Sequence, residues 1–473
     1  MATFSVRFAA IAMSAFVPAS DAAVTAATLA ELTARPYLEL LEVAPTVSFG
    51  PQEFEALRKE LGKQREADKE RLKKEDKELD RRLADLRSQL KSLNTEASSD
   101  TAKAAARRNT IHCEILRLEK EQGAKRLERE HGLQATFDNK LAKVDLIEHW
   151  PARRKEIEAL IARGQARQRR YGDVEDIGVR KISTDQEKDI KLGEEAIKDI
   201  KLYSLMPPVL EDKEVTAFVQ NLAERIGDNS DMKVHAKVTV LRSEEINAFA
   251  LPGGFLFVNT GLIERAETES ELAGVISHEL AHVSARHGAQ LLKRAQMASL
   301  FLEAAQVFAM IVTGGVSGIG TYYALQYGFF GLAMVIDLNL LGVNRKFEDE
   351  ADQLGTQYAW RSGYDPRGFI TFFDKMASEK GYVKSASFFR THPPFLTRML
   401  SAASEIEYLP KQSDLTVDSA TFRQFKGHLS DVLEKEVREQ KERPSLRKEP
   451  VCPEEAPVLT GTGSTPVPCE ELY

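Results

Sequence analysis

The stretch GVISHELAHVSARHG, from Gly274 to Gly288, contains two histidines four residues apart, with a glutamate directly after the first. Residues i and i+4 share one face of an α-helix, so His278 and His282 can direct both imidazoles at one ion. Apolar residues at helical spacing predict this helix: Leu272, Val275, Ile276, Leu280 and Val283. The stretch therefore indicates either a metal site or two hydrogen-bonded histidines in a helical core.

Glu279 is displaced around this helix from the two histidines, so it is expected to reach a water molecule at the metal rather than the metal itself. This arrangement is typical of metal-assisted hydrolysis, with the glutamate as general base. A catalytic zinc ion has three protein ligands and one open position, so a third ligand should come from elsewhere in the chain.

The best candidate for the third ligand is Glu348, in NRKFEDEADQLGTQYA, 344–359. Asp352 lies on the same helix face and can accept the free N–H of a ligand histidine, which would fix its tautomer. Glu350 is a rival ligand, but it lies about 200° round the helix from Glu348. The alternative is an acidic helix start that is stabilised by the helix dipole.

Size and composition limit the class of protein. The chain has 473 residues, of which 42% are hydrophobic and 29% charged, which allows two or three domains. Its net charge of −7 argues against a nucleic-acid partner. The cysteines, Cys113, Cys452 and Cys469, form no CxxC site, so a metal site must use His, Asp or Glu. Cys452 and Cys469 either close a loop as a disulfide or remain free thiols.

The first 23 residues are interpreted as a signal peptide. Arg7 precedes an apolar run, Phe8 to Val17, that is too short to span a bilayer, and small residues follow it. We expect an exported, periplasmic protein, which can also associate with a membrane, rather than a cytoplasmic one. The alternative is a disordered apolar N-terminus on a cytosolic protein.

Residues 51–170 have the spacing of a helical hairpin. In ELDRRLADLRSQLKSLN, 78–94, leucines recur at alternating intervals of four and three residues, which is the seam of a coiled coil. Turn-forming residues at 94–101 precede a second helical stretch, which Pro151 is expected to end or kink. We interpret the hairpin as a stalk for self-association or a spacer; the alternative is an arm that docks onto a partner.

The segment 178–405 predicts a mainly α domain with a small β-sheet. KVHAKVTVLRS, 233–243, alternates apolar and polar residues as a half-buried strand does, and GGFLFVNTG, 253–261, predicts a second strand after a Gly-Gly turn. Helical patterns continue through a C-terminal segment, 406–440. Prolines among polar residues predict that 441–473 is disordered.

Four motifs in order resemble the M48 family of metallopeptidases. EDEADQLG, 348–355, is similar to the family's E-x-E-A-D-x-x-G motif. A similar block at 246–283 leads into and includes the HExxH motif, and two more follow it: SGYDPRGFITFFDKM, 362–376, and THPPFLTRM, 391–399. The resemblance covers roughly 175–405. Within M48, the sequence looks most like the periplasmic chaperone-protease type linked to outer-membrane barrel assembly, and its mitochondrial cousin.

This resemblance implies a zincin-like domain that hydrolyses peptide bonds of protein substrates. It implies one Zn²⁺ per chain on His278, His282 and Glu348, with Glu279 as the base. Asp352 would orient a ligand or donate a proton. The same donor set also suits iron.

Two further positions follow from the THPP block. His392 corresponds to a histidine that can fill the fourth metal position in some relatives and keep them latent; alternatively it stabilises an oxyanion, or is a surface histidine. Arg398 either stabilises the same charge or pairs with an acid. His287 lies off the metal face and is expected to be structural.

The strand that precedes the metal helix is expected to lie beside the cleft. An extended substrate can add to its edge through main-chain hydrogen bonds. The candidate substrate-binding residues are Asn247, Ala248, Phe249, Ala250, Leu251, Pro252, Gly253 and Gly254. Alternatively, the two glycines only form a tight hairpin.

Between the two metal motifs, residues 299–342 are strongly apolar, but Gly314 to Gly320 and charged flanks interrupt them. We expect a lid or a membrane-surface contact rather than a span. The predicted function is a zinc endopeptidase in envelope protein quality control. The alternatives are a chaperone or scaffold with latent proteolysis, and a membrane-embedded protease.

Overall fold

The computed structural model describes residues 28–95, 101–167, 169–182, 186–202, 206–290, 344–378 and 396–442. These ranges are mainly helical and contain one three-stranded sheet, as predicted. The predicted signal peptide, the apolar segment 299–342, His392, Cys452 and Cys469 lie outside them. No helix within these ranges is both long enough and apolar enough to cross a membrane.

The N-terminal part is helical. It contains α1 Leu29–Thr33, α2 Tyr37–Val43, a 3-10 helix Ala44–Thr46, α3 Pro51–Thr95, α4 Thr101–Leu127, a π-helical turn Glu128–Gly132, and α5 Leu133–Ala162. Helices α3 and α4 are antiparallel, because Arg87 pairs with Glu119 while Glu75, farther from the connection, pairs with Lys125. Of the predicted seam, Leu79 and Leu83 are buried in one cluster with Ile111, Ile115 and Leu118 of α4, and Leu86, Leu90 and Leu93 are partly buried against it. The long N-terminal helices are therefore present, and the coiled coil stays a prediction.

The second part contains a sheet and more helices. Its elements are a 3-10 helix Val174–Asp176, α6 Gln186–Leu202, α7 Lys213–Asp228, β1 Lys237–Leu241, β2 Ala248–Leu251, β3 Phe255–Asn259, α8 Thr260–Arg265, α9 Glu269–Ser284, α10 Asn344–Arg361, α11 Arg367–Ser378, α12 Leu396–Tyr408 and α13 Ala420–Glu442. The HExxH helix predicted from the sequence is α9. The second motif, EDEADQLG at 348–355, lies in α10.

The sheet has the order β1-β3-β2, with β1 parallel and β2 antiparallel to β3. One face, which includes Val240 and Val258, belongs to the main core. The other face, which includes Leu251 and Phe257, packs under α6. Strands β1 and β2 are the two edges of this sheet among the described strands, and β2 packs against α9.

Helix α5 joins the hairpin to the main core. It continues through Pro151, so the helix does not end there, which was one of the two expected outcomes. Trp150 is fully buried and donates its indole N–H to the carbonyl of Leu41 at 2.9 Å. Lys143, also on α5, forms a buried ion pair of 2.8 Å with Asp374 of α11. Packing on both sides of α5 outweighs the loss of one helical hydrogen bond at the proline.

Two glycines let the neighbouring helices approach α9 closely. A Cβ on Gly274 of α9 would lie 2.8 Å from the backbone nitrogen of Phe369 in α11. A Cβ on Gly355 of α10 would lie 2.9 Å from both the Cα and the nitrogen of His278. The glycine of the second motif therefore sets the distance between the two motif-bearing helices.

We predict that Gly355→Ala lowers the free energy of unfolding by about 1–3 kcal/mol, because the added methyl group must push α10 away from the backbone of α9. Gly427→Ala is the matched control. Gly427 lies in α13, where a Cβ would meet no described atom within 4 Å, so that change should stabilise the protein by up to about 1 kcal/mol. Chemical denaturation measures both, and equal stability of the Gly355→Ala variant and the wild type would contradict the packing argument.

Candidate metal centre

Helix α9 carries the first three residues of the candidate site. Thr268 caps its N-terminus by accepting a hydrogen bond from the backbone N–H of Glu271. The helix is buried almost throughout, and His278 and Glu279 are only 1% and 2% exposed. Polar side chains at such depth require partners, so the residues around them decide what the site can do.

The side chains of His278, His282 and Glu348 converge: the two histidines share a face of α9, and α10 brings Glu348 to them. The Nε2 atoms of His278 and His282 are 3.1 Å apart. Each of these nitrogens lies 3.4 Å from an oxygen of Glu348: Oε2 for His278 and Oε1 for His282. The ligand atoms of the three residues all lie within 4.8 Å of one another. Two nitrogens and one carboxylate oxygen thus face a common point.

Asp352 and Arg398 surround this group from the far side. Asp352 Oδ1 lies 3.0 Å from Nδ1 of His278, on the opposite edge of the imidazole from the common point. Arg398 of α12 is fully buried and donates to both oxygens of Asp352, at 2.7 and 2.6 Å. Its Nη1 also lies 3.1 Å from Glu348 Oε2. Arg398 was predicted either to stabilise a developing negative charge or to pair with an acid. Its contacts in the structure are those of a cation paired with acids.

These contacts set the charge of the candidate site. Burial lowers the pKa of His282 to about 4, so its imidazole is neutral at pH 7. Burial also opposes protonation of His278, but hydrogen bonds and charges from Asp352 and Glu348 outweigh it and raise the pKa. For Asp352, burial is outweighed by the charge of Arg398, which lowers the pKa and keeps the carboxylate ionised.

His287 lies beside the converging group, although its spacing from His282 predicts a position away from the metal face of the helix. Helix α9 ends at Ser284, and Arg286 has a positive φ of 57°, which is uncommon for a residue other than glycine. Arg286 is held there by two hydrogen bonds of 2.6 Å to the carboxylate of Asp189 on α6. This turn brings Nδ1 of His287 to 2.9 Å from Nδ1 of His282. The signal in the sequence was a third histidine just beyond the end of the motif.

Glu350, the rival ligand, has a different partner. Its Oε2 lies 3.3 Å from Nε2 of His287, and its side chain is 28% exposed. It therefore belongs to the His287 side of the site and not to the converging group.

The candidate substrate strand lies on α9, as expected. The backbone carbonyl of Asn247 accepts a hydrogen bond from the backbone N–H of Asn259. In the antiparallel register, the backbone N–H and C=O groups of residues 249 and 251 therefore also point toward β3. Ala248 and Ala250 consequently direct their backbone N–H and C=O groups away from β3. The Gly253–Gly254 turn has φ angles of 86° and 88°, so the glycines do form the tight hairpin.

Comparison with known proteins agrees with this geometry. Residues 210–406 match the family model "Peptidase family M48". The chain is 27% identical over 220 residues to the beta-barrel assembly-enhancing protease of Yersinia pestis, which covers 45% of this chain and 42% of that protein. It is 32% identical over 202 residues to the mitochondrial metalloendopeptidase OMA1 of Schizosaccharomyces pombe, which covers 41% of this chain and 53% of that protein.

A third relative is the beta-barrel assembly-enhancing protease of Escherichia coli, 25% identical over 250 residues, with 50% of each chain covered. The chain thus spans about half the length of the relatives it matches. The predicted resemblance to M48, including its barrel-assembly type, is confirmed. The chain therefore contains a domain of peptidase family M48, matched over residues 210–406 and carrying both motif helices, α9 and α10.

Proposed function

We propose that this protein is a zinc-dependent endopeptidase that uses His278, His282 and Glu348 as metal ligands and Glu279 as general base. The observation that carries the proposal is the convergence of two imidazole nitrogens, 3.1 Å apart, on the Glu348 carboxylate, where each nitrogen lies 3.4 Å from one of the two oxygens. Membership of the domain in a metallopeptidase family supports the same conclusion.

The converging group fits a metal ion. Two ligand atoms at about 2.0–2.1 Å from a tetrahedral ion lie about 3.3–3.4 Å apart, close to the separations found here. Two histidines and a glutamate are a known ligand set for catalytic zinc, and an HExxH helix is its usual source. We therefore propose zinc over iron, which the same set can also hold.

Zinc, when bound, supplies a Lewis acid that polarises a peptide carbonyl and makes water nucleophilic near neutral pH. The chain's own residues would do the rest. Glu279 follows His278 directly, so its carboxylate is turned about 100° round α9 from that ligand. From there it would take a proton from the attacking water and pass it to the leaving amine.

Asp352 and Arg398 would act on the ligands rather than on the substrate. Asp352 Oδ1, 3.0 Å from Nδ1 of His278, would accept the Nδ1–H, which would leave the Nε2 lone pair of that histidine for the ion. Arg398 holds both Asp352 and Glu348 with charge-assisted bonds, so neither buried carboxylate is free to turn away. His392 is proposed as the residue that fills the open metal position in a latent form or contacts the oxyanion.

We propose that a protein substrate binds as an extended strand along β2. The outward backbone groups of Ala248 and Ala250 would pair with its main chain, which explains recognition without a fixed side-chain sequence. Asn247 to Gly254 are the proposed binding residues. The names of two relatives support envelope protein quality control as the setting, in an exported protein.

The remaining parts of the proposal concern partners. The antiparallel hairpin of α3 and α4 would serve self-association or docking, since its outer surface is rich in charged residues. The segment 299–342 would contact a membrane surface or cover the active site. The domain limits 51–170 and 178–405 also remain predictions.

Replacing the base tests the mechanism. In Glu279→Gln, zinc content should stay at that of the wild type while kcat/KM for an unfolded protein substrate falls by about 10²–10⁴. Gln cannot accept the proton but fills the same buried space. Elemental analysis and a casein assay measure the two quantities, and full proteolysis in this variant would refute the assigned base.

Removing a ligand tests the metal site. The wild type is expected to hold about one zinc per chain after dialysis, whereas His278→Ala should hold almost none, because two ligands do not form a closed site. His428→Ala, on α13 and outside the converging group, is the control and should keep its zinc. Equal zinc content in all three proteins would place the metal elsewhere.

If a substrate pairs with β2 through main-chain hydrogen bonds, loss of one backbone N–H from β2 should lower activity. Ala250→Pro removes the outward N–H at the edge of the sheet, where proline is tolerated, and should lower kcat/KM for peptides about two- to tenfold. Ala250→Val keeps the N–H and should retain activity. Zinc content and melting temperature are measured alongside. Unchanged cleavage by a folded Ala250→Pro variant would remove β2 as the substrate strand.

A further inference from the structure

We propose that His287 and Glu350 are positioning residues for the metal ligand His282, and that they hold its ring through a line of hydrogen bonds. The inference rests on the proposed metal site and deepens it, because it gives a role to two residues outside the ligand set. Neither residue would touch the ion or the substrate.

The two nitrogens of His282 face different partners. Its Nε2 points to the converging group, 3.1 Å from His278 and 3.4 Å from Glu348. Its Nδ1 lies 2.9 Å from Nδ1 of His287. The far nitrogen of His287, Nε2, lies 3.3 Å from Glu350 Oε2. One line of contacts therefore runs from the carboxylate of Glu350 through two imidazoles to the metal position.

The protons on this line can be assigned from chemistry. To bind a cation, Nε2 of His282 must present its lone pair, so the hydrogen of the neutral ring sits on Nδ1. That hydrogen can be donated only if Nδ1 of His287 is an acceptor. The hydrogen of neutral His287 then sits on Nε2, where the Glu350 carboxylate accepts it. In this assignment, every contact on the line joins one hydrogen-bond donor to one acceptor.

His287 is itself held in place. Its side chain is buried, and its ring stacks on Phe347 with centroids 4.1 Å apart and planes 13° from parallel. The preceding residue, Arg286, is fixed in its left-handed conformation by Asp189. The position of His287 is therefore set by contacts with α6, α10 and the turn after α9.

The two ligand histidines are then oriented in two different ways. His278 has its Nδ1 directly beside a carboxylate, 3.0 Å from Oδ1 of Asp352, which is almost completely buried and paired with Arg398. His282 reaches its carboxylate through a second imidazole. Outer partners of this kind orient metal-bound imidazoles, and their removal typically weakens metal binding about 10- to 100-fold.

The test measures zinc affinity of the metal-free protein by competition with a chromogenic chelator. His287→Phe keeps a ring to stack on Phe347 but offers no acceptor, and should raise the Kd for zinc about 10- to 100-fold. His287→Asn places an amide oxygen near the former Nδ1 and should restore much of the affinity. Glu350→Ala, a change at a partly exposed site, should weaken binding in the same direction as His287→Phe.

Three results would overturn the inference. The first is an unchanged Kd in both His287→Phe and Glu350→Ala. The second is an equal loss in His287→Phe and His287→Asn, which would indicate a packing role. The third applies if metal-free His287→Phe melts at too low a temperature for its affinity to be measured. In that case, a Glu350→Ala variant that binds zinc with the wild-type Kd would overturn the inference. His428→Phe is the control for loss of a histidine outside the site. Failure of the wild type itself to bind zinc would instead refute the proposed function.

Discussion

The fold around the candidate site depends on one buried guanidinium. Arg398 is fully buried and contacts two carboxylates, Glu348 and Asp352, that are themselves almost fully buried on α10. Isolated carboxylates at that depth would take up protons or stay in water, because their desolvation is costly. The cation from α12 lowers the pKa of Asp352, which keeps that carboxylate ionised beside His278, and it also forms an ion pair with Glu348. Three helices are thereby joined by charge at the point where the motifs meet.

The sequence allowed the centre of the site to be predicted, because helical periodicity is a local property. His278 and His282, and likewise Glu348 and Asp352, are four residues apart, and each pair does share a helix face. The meeting of the two helices was predicted only through family resemblance and the demand for a third ligand. The physical reason for the meeting, Gly355 against the backbone of His278, is visible only in the packing.

The role of His287 was missed for a definite reason. On a continuing helix, a residue five positions after His282 would lie about 140° round the axis from it. The helix instead ends at Ser284, and the left-handed Arg286 lies in a turn before the chain becomes helical again at His287. That conformation depends on Asp189, 97 residues earlier in the chain. No local pattern predicts such a partner, and Pro151 inside α5 shows the same limit, since burial on both sides of that helix overrides the break expected from proline.

The account as a whole depends on one ion being held by two imidazoles and one carboxylate. Zinc K-edge X-ray absorption of the purified wild-type protein tests this most directly. The account predicts two imidazole nitrogens and oxygen ligands at about 2.0–2.1 Å in a four-coordinate site. A spectrum with sulfur ligands, or with oxygen ligands alone, would contradict it.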